Sequence, residues 1–233
     1  MNKTKIEWTD YTWNPIKGIC PVGCWYCYAR KIYKRFGWNP RMQYAFDGEN
    51  SWTYIEKFQR CNPKPGSKIF VCSTFELFHP MVKEKWRDEI FQIIKCNPQY
   101  TFQILTKLPQ NIDRPMPDNV WLGLTITGEE DETDAERFYA LVDKAKAKVK
   151  FISFEPLLGD IDEEILSELC HIHWVIIGRL TGYGKKHDPS IEQIDAILDY
   201  VQHYQLPFFL KNNLSEIWGE PLIQEWPKEQ ADE

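Results

Sequence analysis

The chain has no apolar run approaching the roughly 20 residues that a bilayer-crossing helix needs, which excludes a helical membrane protein. Its opening Met1–Asp10 is polar and no apolar stretch follows, so no secretory leader is expected. Positive charge is in deficit: 28 Lys and Arg against 34 Asp and Glu give a formal net charge of −6. Overall charge therefore supplies no general grip on nucleic acid, although a local basic patch would. Internal repeats and low-complexity tracts are missing. So is any second pair of C-x2-C or H-x3-H ligands of the kind that closes a structural zinc site.

What remains is a chain of 233 residues with 43% hydrophobic content, enough for a sizeable core. The expectation is a single domain over 1–233, with a candidate insertion at 37–66 carrying a helix over Trp52–Arg60. The polar tail, 221–233, is expected to fray. Seven cysteines is an odd number and they are unevenly spread, which argues against a disulfide framework. A cytoplasmic location is expected, where thiols stay reduced and clustered cysteines indicate metal binding or catalysis.

The cluster is Cys20-Pro-Val-Gly-Cys24-Trp-Tyr-Cys27. Three thiolates can hold three irons of a cubane [4Fe–4S] cluster and leave the fourth iron without a protein ligand. The alternative is a zinc site with three cysteine ligands, closed by a distant Cys or His and serving a non-catalytic scaffold. Of the other cysteines, Cys96 and Cys170 read as buried small hydrophobes, while Cys61 and Cys72 could line a site. Aromatics make up 15% of the chain, and 14 of the 34 fall in the first 60 positions, among them Trp8, Trp13, Trp25, Tyr28 and Trp38. Such density suits an apolar wrapping around a cluster, whose potential depends on solvent access.

Beyond residue 60, short β-branched and aromatic runs alternate with helical patterns. Strands are expected at Lys68–Ser73, Tyr100–Thr106, Val120–Thr125, Lys150–Phe154, His173–Gly178 and Pro207–Lys211, with an earlier one around Thr12–Ile16. Helices are expected over Pro80–Cys96, Glu129–Val149, Asp162–Leu169 and Ser190–Tyr204. The last carries a capping box, Ser190 and Gln193, and a buried stripe of Ile191, Ile194, Ile197, Leu198 and Val201. This alternation predicts an α/β fold, a partial or complete (β/α) barrel of about seven parallel strands with an aromatic-rich N-terminal insertion, with an open doubly wound sheet as the alternative.

In such barrels, chemistry gathers at the C-terminal strand ends. Polar residues follow each apolar run there: Ser73, Thr74, Glu76 and His79; then Lys107; then Thr125; then Glu155; then Arg179; and finally Lys211. Glu155 and His79 are the candidate catalytic groups. Lys107 and Arg179 are candidates to meet a carboxylate or other anion.

The cysteine spacing resembles the radical S-adenosylmethionine (radical SAM) superfamily. The resemblance implies that Cys20, Cys24 and Cys27 bind a [4Fe–4S] cluster and that SAM chelates the open iron. SAM is then cleaved reductively to a 5′-deoxyadenosyl radical. It further implies SAM contacts from Tyr26, Ser73, Thr74, Glu76, Lys107, Thr125, Glu155 and Arg179, and an external electron donor such as flavodoxin or ferredoxin. Within the superfamily the chain is similar to phage- and prophage-associated proteins of unassigned reaction. The matching stretches are Lys5–Asp10, Thr12–Pro15, Cys27–Ala29, Leu77–Pro80, Leu105–Lys107, Val120–Gly123, Phe154–Gly159 and Pro207–Phe209. Those relatives often space the first two cysteines more widely, and usually carry Gly-Gly-Glu-Ser-Gly where this chain has Gly178–Gly182. Separately, Arg30, Lys31, Lys34, Arg35 and Arg41 interleave with Tyr33, Phe36 and Trp38, a mixture suited to a nucleic-acid partner.

Overall fold

The structure is a computed structural model and describes residues 1–46, 61–129 and 131–228. The helix expected over Trp52–Arg60, within the candidate insertion, lies outside the described residues, as does the end of the tail beyond residue 228. The chain forms two compact units, Met1–Leu122 and Gly123–Glu233.

In the first unit, β1 (Asn2–Lys3) runs antiparallel to β2 (Tyr11–Trp13), opposing Asn2 and Thr12. β2 is parallel to β5 (Lys68–Val71), and β5 to β6 (Thr101–Thr106), aligning Thr12, Phe70 and Gln103. A separate antiparallel ribbon pairs β3 (Ile16–Lys17) with β4 (Gln43–Tyr44). Among the described residues its α-helices are α1 (Tyr28–Phe36) and α2 (Glu84–Lys95). α2 opens on Glu84 and closes on Lys95, which complements the helix dipole, and buries Trp86, Ile90, Phe91 and Ile94. Ile69, Val71, Phe102 and Ile104 are fully buried, as parallel strands covered on both faces require.

The boundary between the units falls within β7 (Val120–Thr125), every residue of which is buried. In the second unit, β8 (Val149–Phe154), β9 (Trp174–Ile177) and β10 (Phe208–Leu210) are parallel, aligning Phe154 with Ile177 and Ile177 with Leu210. The helices are α3 (Asp131–Tyr139), α4 (Glu163–Ser167), α5 (Ile191–His203) and α6 (Ser215–Trp218). Both halves of the capping box form at α5: the Ser190 hydroxyl accepts from the Gln193 N–H, and the Gln193 side chain accepts from the Ser190 N–H.

Among the described residues the main sheet has eight strands in the order β1-β2-β5-β6-β7-β8-β9-β10, with β1 antiparallel to β2 and the successive pairs of β2-β5-β6 and of β8-β9-β10 parallel. It is an open, partial barrel, with β1 and β10 as its edges, so the complete closure left open by the sequence is not made. The extra strand is β1, whose exposed Asn2 and Lys3 carry no apolar signal.

Three expectations need correction. The helix predicted to reach Val149 ends at a π-helical turn over Ala140–Lys144; Phe138, Leu141 and Ala145 are buried, but Val149 opens β8. Ile191 is 46% exposed, because it occupies the first helical position, ahead of the turn that faces the core. Cys96 and Cys170 are exposed rather than buried, the first at the C-cap of α2 and the second in a 3-10 turn, Leu169–His171.

Gly123 has no room for a side chain: a Cβ there would lie 2.3 Å from Cζ of the fully buried Phe151. Gly123→Ala is expected to lower stability by about 1–3 kcal/mol, read from the denaturant midpoint, with partial recovery when Phe151→Leu is added. Burial also holds the His173 imidazole below its ordinary pKa of 6.5, while its Nδ1 accepts from the Lys150 N–H at 3.2 Å. The unfolded chain then takes up this proton at a higher pH than the folded one. This contribution is complete above pH 6.5 and is lost as pH falls through that value towards the folded pKa. A urea midpoint that falls on acidification from neutral pH, and falls less in His173→Asn, is the expected outcome.

Candidate cysteine centre and strand-end site

The cysteine loop is held at both ends. Gly18 enters it with φ +117°, and a Cβ there would sit 2.7 Å from the Arg41 carbonyl oxygen, so glycine is required. Its N–H donates to the Tyr33 hydroxyl of α1 at 2.7 Å, and the Ile19 N–H donates to the Pro40 carbonyl at 2.9 Å. At the other end the Cys27 N–H donates to the Cys24 carbonyl, and Cys27 is the N-cap residue of α1. α1 has no acidic residue in its first turn. Arg30 donates from Nη2 to the Cys20 carbonyl at 2.7 Å.

All seven cysteines are free thiols, and Cys20, Cys24 and Cys27 are half-buried. Burial pushes the Cys20 thiol up to about 11; the Val22 and Glu76 backbone N–H groups pull it down, and the charges of Glu76 and Cys24 push it up. Cys72, at φ +55° just after β5, is buried, and burial raises its thiol far above the ordinary value, with Glu76 and Cys20 adding to the rise. Cys72 thus shares its surroundings with Cys20, a proximity its place at a strand exit hinted at but did not specify. Among the described residues, the ligand atoms gathered within 4.8 Å of one another belong to Glu168, Cys170 and His171, not to the cysteine trio.

The ends of β5 and β6 converge on this loop. Glu76 is buried, and its carboxylate accepts from the Phe78 N–H (3.0 Å), the Thr106 hydroxyl (2.8 Å) and the Lys107 N–H (2.8 Å). Burial raises its pKa, and these three donors oppose the rise. Lys107 in turn places Nζ 5.3 Å from the Tyr26 ring centre, and Tyr26 meets Trp25 edge-to-face at 5.4 Å. Ser73 pairs its hydroxyl with the Asn14 amide at 3.1 Å, and its carbonyl accepts from the Tyr28 hydroxyl at 2.7 Å. Asn14 was not singled out in the sequence; its position directly after β2 is the signal that would have found it. Thr74 is half-buried beside Ser73. His79 uses Nδ1 to accept from the Met81 N–H at 3.2 Å, which fixes its own turn.

The remaining candidates belong to the second unit. Thr125 is buried at the end of β7. Glu155, after β8, is ion-paired to Lys211, after β10. A Cβ on Gly178 would lie 2.9 Å from Lys211 Cδ and 3.2 Å from Glu155 Cδ, so the glycine makes the space this pair fills. Arg179 is committed to two carboxylates, Asp188 at 3.0 Å and Glu216 at 3.1 Å, and its main chain is clasped by Asn213.

The fold is shared with solved structures of spore photoproduct lyase, a radical SAM enzyme. One, a double mutant with bound AdoMet and dinucleoside spore photoproduct, has a TM-score of 0.57 at 9% identity, covering 90% of this chain and 78% of that chain. Another, complexed with dinucleoside spore photoproduct, has a TM-score of 0.56 at 10% identity over the same shares. The chain thus has the α/β fold of those structures. It belongs to the family described as protein of unknown function (DUF5131), whose model matches residues 3–230. No curated protein matches it in sequence.

Removing one partner of the Glu155–Lys211 pair leaves a part-buried charge uncompensated. Lys211→Met and Glu155→Gln are each expected to destabilise the protein, and the double variant by less than their sum. A coupling of about 0.5–3 kcal/mol in a denaturant double-mutant cycle would match the geometry; strict additivity would not.

Proposed function

We propose that the chain is a radical SAM enzyme in which Cys20, Cys24 and Cys27 hold three irons of a [4Fe–4S] cluster and SAM binds the fourth. The observation that carries this is the cysteine loop itself, anchored by Gly18 and α1 and faced by strand-end residues, in a fold shared with a radical SAM enzyme. A single tetrahedral zinc, with bonds of about 2.3 Å to sulfur, would draw its thiolates to about 3.8 Å from one another. The trio is not gathered that closely.

When bound, the cluster and SAM would supply radical chemistry for hydrogen-atom abstraction. The chain's own residues position and shield. The N–H groups of Val22 and Glu76 on the Cys20 sulfur stabilise its thiolate as a ligand. Because the Cys20 thiol is held high in the metal-free protein, metal loading must displace its proton. Tyr26, Ser73, Thr74 and Lys107 are proposed SAM-binding residues in the first unit, with Glu76 holding the Lys107 backbone in place. Thr125 and Glu155 are proposed for the second, where Arg179 braces the loop bearing Asp188 and the short helix α6 bearing Glu216. An external one-electron donor such as flavodoxin or ferredoxin, and a reducing cytoplasmic setting, belong to the same proposal. So does kinship with the phage-associated group, on the ordered motifs from Lys5 to Phe209. No helix of the described residues is long and apolar enough to cross a membrane.

After anaerobic reconstitution the protein is expected to be brown, with matching iron and sulfide, and to form 5′-deoxyadenosine from SAM and dithionite. Cys24→Ala is expected to lose iron and product together. Full iron and sulfide in that variant, or a colourless zinc protein, would overturn the proposal.

A further inference from the structure

Charge and aromatic exposure are distributed unevenly along this chain. From Tyr11 to Phe46 there is no Asp or Glu, while Lys17, Arg30, Lys31, Lys34, Arg35 and Arg41 contribute six positive charges. The net charge of −6 therefore leaves −12 on the rest of the chain. The same stretch exposes large rings: Trp25 is 47% exposed, Tyr28 51%, Phe36 59% and Trp38 52%, half of the eight exposed large hydrophobics among the described residues. Isolated exposed rings need no explanation, but a concentration of them marks an interaction surface.

The rings are ordered. Gly37 caps α1 in the left-handed conformation at φ 60°, and the Gly37 and Trp38 N–H groups both donate to the Tyr33 carbonyl. This reversal lays Trp38 against Phe36, with centroids 5.6 Å apart and planes at 24°, while Trp38 meets buried Tyr33 edge-to-face at 5.4 Å. The Arg35 guanidinium lies 5.5 Å from the Phe36 ring centre, and Lys31, Lys34 and Arg41 are exposed. An acidic protein surface would need only the charges. Flat rings fixed in advance beside cations suit a ligand that has both phosphates and planar faces.

We propose that this face, centred on Phe36 and Trp38 with Lys34, Arg35 and Arg41, binds single-stranded nucleic acid. Unpaired bases stack on the rings and the cations follow the phosphates. The face is continuous in sequence with the cysteine loop, since Trp25 lies between Cys24 and Cys27, and Tyr28 follows Cys27. A bound strand is thereby led to the cysteine centre. The surface stands independently of the radical SAM proposal; only the inference that the strand is the substrate rests on it.

The test uses reconstituted full-length protein and fluorescein-labelled oligonucleotides of one sequence, as single-stranded DNA, single-stranded RNA and duplex, followed by anisotropy across a salt series. Binding of one or both single strands at low ionic strength, tighter than the duplex, is expected. The two single-stranded arms identify which of them is preferred. Phe36→Ala and Trp38→Ala should each weaken binding about tenfold. Lys34→Gln with Arg35→Gln should reduce the slope of log affinity on log salt by about 1.4, at roughly 0.7 per phosphate contact. Far-UV circular dichroism checks the fold of each variant. No single-strand binding at low salt, equal binding of duplex, unchanged affinity in a folded Phe36→Ala protein, or binding only to an acidic protein such as flavodoxin would overturn the proposal. Iron content measured on the same samples separates the two ideas: a loaded protein that binds no strand defeats this one alone, and a strand-binding protein that never loads iron defeats the other.

Discussion

The first unit is organised around one buried carboxylate. Glu76 lies after β5, yet its oxygens are satisfied by the backbone of Phe78, the hydroxyl of Thr106 and the backbone of Lys107. A carboxylate taken out of water is costly unless its lone pairs are met, so these three donors must stay in place. That requirement locks the exit of β5 to the exit of β6, and it fixes where Lys107 can extend towards Tyr26. It also sets a negative charge and a backbone N–H beside Cys20, with opposite effects on its sulfur. The electrostatics of the loop are thus coupled to a single side chain that is not itself one of the three cysteines.

The second unit meets its constraints by a different device, the absence of side chains where backbones and charges crowd. Gly128 and Gly159 approach so closely that a Cβ on Gly159 would lie 2.3 Å from the Gly128 carbonyl oxygen. The N–H groups of Thr127 and Gly128 are both taken up by buried Asp134 at 3.2 Å. Gly178 opens the space for Glu155 and Lys211, and next to it Arg179 spends its guanidinium on Asp188 and Glu216. In this chain Arg179 follows Gly178 where the resembling proteins usually carry a second Gly and then a Glu. The strand end here is a braced, charge-paired structure.

Much of the architecture was legible because parallel strands buried on both faces must be continuous apolar runs. Val120–Thr125 and Tyr100–Thr106 could be placed almost to the residue on that ground. The capping box at Ser190 was equally readable, being a local pairing of two side chains three residues apart. Elements that depend on remote partners were not. β1 exists only because β2 lies beside it, and its Asn2 and Lys3 look like any polar terminus. The π-helical turn at Ala140–Lys144 interrupts a helical apolar pattern that the sequence carried on to Val149.

The sequence by itself determined the spacing of three thiols, the order of strands and helices, and the acid-free, aromatic stretch from Tyr11 to Phe46, since all of these are properties of residues near one another along the chain. Only the tertiary structure decided that Cys72 shares the surroundings of Cys20, that Glu76 is spent on the β6 strand end, that Lys211 neutralises Glu155, and which aromatics of that stretch face water. Trp13 and Trp38 are the same residue type in the same stretch, one fully buried and the other half exposed. What separates them is whether another segment packs over the ring, and that depends on residues distant in the chain.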